Sequence, residues 1–276
     1  MHPTPETDPG GSPPAGLPGA VGAAPGRRSG FTAVIPAFNE VATIRGVVEH
    51  ALHEVERVIV VDDGSTDGTA EALADCDATV VRNGTNRGKA ESLRRGIALA
   101  WRDGARSVIT LDADGQHDPA DIPRLIEAHE RDPDLIVIGA RLHEKHNIPR
   151  ARYAANRFAS FWIGWAAGYP LSDSQSGFRL YPASLMRVVD VTRSRSRGFV
   201  FESEILITAA RAGVKSVAVP IHATYRVQAR PSYFRPVADI LLITRMVAWK
   251  LLCRGMYIPG LIRSLRPERG ARHSSA

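Results

Sequence analysis

Between Phe31 and Gly139, apolar runs of five or six residues recur, each ending in turn-forming or acidic residues and followed by a helix-length stretch. Unbroken apolar runs of this length suit strands buried on both faces. Their alternation with helices is the mark of βαβ units around a parallel sheet. The pattern predicts strands at 31–36, 57–62, 78–82, 107–111 and 134–139, with helices over 40–54, 67–75, 88–103 and 119–131. Asn39 or Glu40, Thr66, and Asp118 just before Pro119 are the kinds of residue at which helices start.

Past Arg141 the pattern changes. The stretch 150–168 reads as one helix carrying Phe158, Phe161, Trp162, Ile163 and Trp165, too charged at its start to span a membrane. A strand at 176–181, a helix at 201–212, a strand at 215–224 ending the sheet and a strongly apolar helix at 236–253 complete the reading. Asp239, Arg245 and Lys250 make that last helix amphipathic.

Composition changes the picture at the two ends. The first 30 residues hold seven Pro and seven Gly with no apolar cluster, so residues 1–30 are expected to be an unstructured head. An α/β domain is expected over 31–235, an amphipathic helical segment over 236–262 and a basic tail over 263–276. The formal net charge of +6 owes much to five arginines from Arg254 onward, opposed by Glu268. Such a tail is either solvated or drawn to anionic lipid headgroups. With no basic-aromatic RNA motif and no zinc finger, a nucleic-acid partner is not expected. Cys76 and Cys253 are the only cysteines, which suggests neither a disulfide framework nor a zinc site and fits a reducing, cytoplasmic compartment. No apolar stretch reaches the roughly 18 residues of a spanning helix.

Ligands of open α/β sheets sit beyond the carboxyl ends of the strands. Three runs end there in candidate chemistry: Phe31 to Pro36 leads into Ala37-Phe38-Asn39-Glu40, Val58 to Val61 into Asp62-Asp63-Gly64-Ser65, and Val108 to Leu111 into Asp112-Ala113-Asp114-Gly115-Gln116. Asp112 and Asp114, two apart at a strand end, project to the same side. Their mutual repulsion calls for a cation, and Mg²⁺ or Mn²⁺ completed by diphosphate oxygens and water is the natural one. A lone D-x-D is as often a turn or cap; its alignment with two other acidic strand ends is what gives it weight. Asp62 and Asp63 serve either as turn residues or as acceptors for a base or ribose. Asn86-Arg87-Gly88-Lys89 would bring a cation and backbone N–H groups near phosphates.

These four segments, in this order and spacing, resemble the GT-A family 2 glycosyltransferases over about residues 31–235. Gly139-Ala140-Arg141, Arg152 with Asn156, Ser176-Gly177-Phe178-Arg179 and Phe201-Glu202-x-Glu204 look like the branch of dolichol-phosphate mannosyltransferases and bacterial polyprenyl-phosphate transferases. The resemblance implies an α/β, Rossmann-like GT-A fold: a mostly parallel central sheet with helices on both faces, plus C-terminal amphipathic helices. It implies that Pro36, Phe38, Glu40, Val61 and Asp63 hold the nucleoside side of a GDP- or UDP-type sugar. Lys89, Ala113, Arg141 and Arg226 would hold the rest of the donor, and Asp112, Asp114 and Gln116 the metal. The chain departs from the branch in two places. Phe38 stands for its usual Tyr, and Ala229-Arg230-Pro231-Ser232-Tyr233 replaces the segment bearing its lysine. The Gln-x-x-Arg-Trp motif of processive polymerases is absent.

The family implies an inverting displacement with the metal acting on the leaving diphosphate. A lipid-phosphate acceptor is already anionic and needs no base, leaving Arg141 and Arg152 to orient it. A sugar hydroxyl would need one, and Asp173 is the candidate. Arg193, Arg195 and Arg197 form either a solvated loop or a lid, and Glu202 and Glu204 at a helix start are explicable by the helix dipole alone. The aromatic helix, the amphipathic helix and the basic tail together favour a lipid acceptor and a peripheral site on the inner face of the cell membrane, although the 236–253 helix would serve a homodimer equally. A nucleotide-sugar-binding protein without turnover is the remaining alternative.

Overall fold

The computed structural model of the chain describes residues 27–141, 150–190, 198–222 and 236–266, without the side chains of 150–152, 199 and 236–239. The first strand shows why the apolar runs are continuous. In β1 (Arg28–Ala37), Ala33, Val34 and Ile35 are all fully buried, yet they point to opposite sides. Val34 joins one core with Ile59, Val61 and Ile97, whereas Ala33 and Ile35 join another with Ile44, Val60, Ile109 and Leu125. Each face of the sheet therefore has its own hydrophobic layer under its own helices.

The strands β2 (Val55–Asp62), β3 (Thr79–Arg82), β4 (Ser107–Thr110) and β5 (Ile136–Ala140) follow the predicted runs. With β6 (Arg179–Pro182) and β7 (Ser216–Pro220) they form a seven-stranded sheet in the order β3-β2-β1-β4-β6-β5-β7. Only β6 runs against its neighbours, wedged between β4 and β5; the other pairs are parallel. The 215–224 strand does end the sheet, stopping at Pro220.

The helices are α1 (Ile44–Glu54), α2 (Lys89–Arg102), α3 (Ile122–Arg131), α4 (Arg150–Ala167), α5 (Ala183–Val188), α6 (Phe199–Arg211), α7 (Pro236–Leu252) and α8 (Ile258–Ser264). Two predicted helices shrink. Residues 40–43 form a turn before α1, and 67–75 holds only a single 3₁₀ turn at Glu71–Leu73. The reason lies in the polar side chains: Asp67 accepts from the backbone N–H of Val41 and Thr69, and Thr69 Oγ1 accepts from that of Glu40. They stitch one loop to another, and that use competes with helix formation. Helix α5 was not foreseen, and α8 falls largely within the helical segment expected over 236–262; each is only two turns or less and starts beside a proline.

Helix α2 lies unusually close to the sheet at Gly96, where a Cβ would fall 2.4 Å from Val34 Cγ1 and 3.1 Å from Val61 Cγ2. Gly96→Ala is expected to destabilise the fold by about 1–3 kcal/mol through overpacking. By contrast Gly46, exposed on α1 with nothing within 4 Å of its would-be Cβ, is expected to gain about 0.5–1 kcal/mol as Ala. Urea midpoints of the two variants check both signs.

Helix α4 packs against α6, α7 and α8, and Trp165 fixes the α7–α8 turn by donating to the carbonyls of Met256 (3.0 Å) and Tyr257 (3.2 Å). Among the described residues no helix is long and apolar enough to cross a membrane.

Candidate active site

The carboxyl ends of β1, β2 and β4 lie side by side, and short polar side chains lock their loops together. Asn39 adopts φ 55°, a left-handed conformation that Asn tolerates better than most residues. From there its N–H donates to Ser65 Oγ (2.9 Å) and its Oδ1 accepts from Thr66 N–H (2.9 Å). Pro36, Phe38 and Glu40 sit half-buried along this rim. Val61 is fully buried, with its side chain in the core under α2, and can offer a ligand only its backbone.

Asp62 and Asp63 are both engaged within the protein. Asp62 closes the turn, accepting from Ser65 N–H at 3.0 Å and pairing with Arg82 at 3.0 Å. Asp63 organises the next loop: its carboxylate accepts from Asn83 Nδ2 (2.7 Å) and from the backbone N–H groups of Arg87 (2.9 Å) and Gly88 (2.8 Å). That loop comes so near that a Cβ on Gly64, at φ +78°, would lie 2.8 Å from Thr85 C. The consequence is positional, because α2 begins immediately afterwards at Lys89.

Lys89 reaches the centre of the cluster. Its Nζ is 2.6 Å from Asp112 Oδ1 and 3.5 Å from Glu202 Oε2. Burial would raise the Asp112 carboxyl, but Lys89, with help from His117 and Arg141, holds it down to about 2. Asp114 moves the other way, raised by burial and then by the charge of Asp112. His117, buried against Phe178, is pushed down to about 3 by burial and stays neutral. Its Nδ1 accepts from Asp112 N–H at 3.4 Å, which leaves the proton on Nε2.

The pair fits a hard divalent cation. Its donors are oxygens, and the Asp114 carboxyl, raised by burial and then by the neighbouring Asp112 charge, sits where a cation would relieve both. Among the described residues no three His, Cys, Asp or Glu side chains gather into a metal cage. A carboxylate pair suits an ion completed by substrate phosphates and water. Gln116 is half-buried, and its N–H donates to Asp114 Oδ1 at 3.0 Å. Ala113 points into the core beneath β4 and, like Val61, can meet a donor only through its backbone.

Arg141, at the end of β5, belongs to the same cluster, since its charge lowers both carboxyls of the pair. It is itself held by Asp173, which accepts from its N–H at 3.2 Å and faces its Nε at 3.6 Å. Asp173 is buried, and its other oxygen accepts from Gln175 N–H at 3.3 Å. It is poorly exposed for a proton-abstracting base, and its contacts are with Arg141 and Gln175.

Two residues quoted from the sequence only as motif positions, Arg179 and Glu202, gain their contacts from the structure. Arg179, fully buried, donates to the carbonyls of Ser176 (2.8 Å), Ser174 (2.8 Å) and Glu202 (2.6 Å), so one side chain ties the 174–179 loop to α6. Glu202 faces Lys89 across that joint, whereas Glu204 pairs with Lys250 of α7 at 2.9 Å. The Phe201-Glu202-x-Glu204 pattern pointed at both residues but did not separate them. The Arg152 side chain, Arg193, Arg195, Arg197, Arg226, Arg230 and Tyr233 lie outside the described residues, as do 1–26 of the head and 267–276 of the tail.

The chain is similar to known proteins. A curated UDP-N-acetylglucosamine–dolichyl-phosphate N-acetylglucosaminyltransferase of Methanococcus voltae is 30% identical, over 70% of this chain and 84% of its own. The polyprenol monophosphomannose synthase of Mycolicibacterium smegmatis is 32% identical, over 70% of this chain and 77% of its own. Among solved structures, glucosyl-3-phosphoglycerate synthase of Mycobacterium tuberculosis, in complex with Mn²⁺, UDP-glucose and phosphoglyceric acid, superposes with a TM-score of 0.59 at 25% identity. That match covers 81% of this chain and 79% of the other. The mostly parallel sheet covered on both faces is thus the GT-A fold expected from the sequence. The glycosyl transferase family 2 model spans residues 32–189, from β1 through the carboxylate pair to the buried Arg179 and beyond. The chain therefore belongs to glycosyl transferase family 2, and it is a glycosyltransferase.

Proposed function

We propose that this enzyme moves a sugar, with inversion, from a nucleoside-diphosphate sugar of the GDP or UDP type to a polyprenyl phosphate. The observation that carries the acceptor choice is Arg141, a mostly buried arginine held by Asp173 beside the Asp112/Asp114 pair. A guanidinium fixed there suits a phosphate, which is anionic at neutral pH and attacks without a base. The relatives named above for dolichyl phosphate and polyprenol phosphate support the same reading.

Asp112, Asp114 and Gln116 would hold Mg²⁺ or Mn²⁺. When bound, the ion supplies Lewis-acid stabilisation of the charge that grows on the departing diphosphate. The rim of Pro36, Phe38, Glu40 and Asp63 would seat the nucleoside, the backbone at Val61 and Ala113 would line the donor, and Lys89 with Arg226 would neutralise its phosphates. Arg141 and Arg152 would orient the acceptor. Asp173 is assigned to positioning Arg141, in place of the base it would be for a hydroxyl acceptor.

A lipid acceptor requires a way to the bilayer. Helices α7 and α8 expose Leu241, Trp249, Leu252, Ile258, Ile262 and Leu265, with Arg245, Arg254 and Arg263 exposed among them. Apolar side chains for the acyl boundary and arginines for anionic headgroups are the composition of an interfacial segment. This supports a peripheral position on the inner face of the membrane; a second copy of the chain is the other occupant such a surface admits. With radiolabelled GDP- and UDP-sugars, Mg²⁺ and polyprenyl phosphate in detergent, label is expected to enter the organic phase. Label confined to water-soluble product would overturn the lipid acceptor.

A further inference from the structure

Lys89 stands between two carboxylates, one of which has unused capacity. Its ammonium lies 2.6 Å from Asp112 Oδ1 and 3.5 Å from Glu202 Oε2. Glu202 is buried at the start of α6, and its Oε1 has no hydrogen-bond partner among the described residues. A helix dipole favours a carboxylate in the first turn but gives no reason to bury one with an acceptor vacant. The backbone of Glu202 is held in place, because Arg179 Nη1 donates to its main-chain carbonyl at 2.6 Å. On the far side, Gly177 leaves the space Lys89 occupies: a Cβ there would lie 3.0 Å from Nζ and 3.1 Å from Asp112 Oδ2.

A divalent cation at Asp112 and Asp114 competes with this ammonium for the same oxygens, and two cations so close repel. We propose that Lys89 has two seats: it rests on Asp112 as the pair's internal counter-ion, and it moves to Glu202 when a divalent cation takes Asp112. Glu202 is then a positioning residue that sets cation affinity through Lys89. This deepens the reading of Asp112 and Asp114 as the cation site and rests on it. The handover also gives Lys89 its place for the donor, since an ammonium released from Asp112 faces the diphosphate that the cation brings.

The test is a titration of the full chain with Mn²⁺ alone, free ion being followed by its electron paramagnetic resonance signal. Lys89→Met is expected to bind Mn²⁺ about tenfold more tightly, because the competitor is gone, and Glu202→Gln about tenfold more weakly, because the displaced ammonium has lost its anionic seat. With Lys89→Met already present, Glu202→Gln is expected to change affinity by less than about twofold, as coupling through Lys89 demands. Equal weakening with and without Lys89 would make Glu202 a distant charge and overturn the two seats, as would unchanged affinity in Lys89→Met. Should Glu202→Gln fold poorly by circular dichroism, Glu202→Asp keeps the charge and shortens its reach; it is expected to weaken Mn²⁺ binding only when Lys89 is present, and weakening in both backgrounds overturns the proposal. Failure of the underlying site looks different: wild type and Asp114→Ala would take up Mn²⁺ alike, and the two seats would fall with it.

Discussion

Replacing Asp114 by Ala is expected to lower sugar transfer by at least about 10³-fold, the several kcal/mol of transition-state stabilisation that a bound divalent ion supplies. The fold should survive the change. Asp114 is partly exposed, and the hydrogen bond it would lose is the one it accepts from Gln116 N–H. The sign of the stability effect follows from its raised carboxyl. A carboxyl raised on folding adds stability below its unfolded value and loses it as pH rises through the folded value, so at neutral pH the ionised group is a net strain. Asp114→Ala is therefore expected to unfold at an equal or higher temperature than wild type while being inactive. Addition of Mn²⁺ should raise the unfolding temperature of wild type and leave that of the variant in place. A variant with near-normal transfer in the presence of Mn²⁺ would remove the carboxylate pair from the mechanism.

Arg179→Met is expected to have the largest effect on stability. The side chain is fully buried, and its guanidinium is the partner of three backbone carbonyls from two separate elements. Methionine fills similar space but leaves those carbonyls without a donor, each a desolvated acceptor. Burial works against the charge, yet Tyr181 and the carboxylates of Glu202 and Asp173 outweigh it and keep the arginine ionised. Removing it leaves Lys89 and Arg141 to balance the Glu202 and Asp173 carboxylates. A loss of about 3–5 kcal/mol is expected, the range for breaking a buried charge network, with the melting temperature falling by about 10 °C. Activity measured below the melting temperature should fall as well, because Asp173 with Arg141 and Glu202 with Lys89 stand on the two sides of that pin. A melting temperature within 2 °C or so of wild type would mean that water replaces the guanidinium at little cost.

The strands were legible because burial on both faces forces unbroken apolar runs, and Ala33-Val34-Ile35 in β1 is the plainest case. The two acidic strand ends and the D-x-D were legible for a related reason: in a parallel sheet every strand delivers its last residues to the same edge. The weak points were local. Residues 67–75 carry helix-compatible composition, but Asp67 and Thr69 spend their side chains on the neighbouring loop. The antiparallel strand β6 could be drawn as a strand but not oriented, since a short apolar run carries no record of its partners.

What the sequence by itself determined is the family and the layered α/β plan, with Asp112, Asp114, Arg141 and Lys89 as candidate site residues. Those properties depend on local pattern and on the order of short motifs along the chain. What only the tertiary structure decided is which charge faces which. Lys89 lies 23 positions from Asp112 and 113 from Glu202, yet touches both, and Arg179 joins a loop to a helix across the same gap. Coulomb energy and hydrogen bonding depend on distance in space, and periodicity encodes only which face of an element is buried. The D-x-D could therefore be read from the chain, but the ammonium that balances it appeared only when α2, β4 and α6 were packed together.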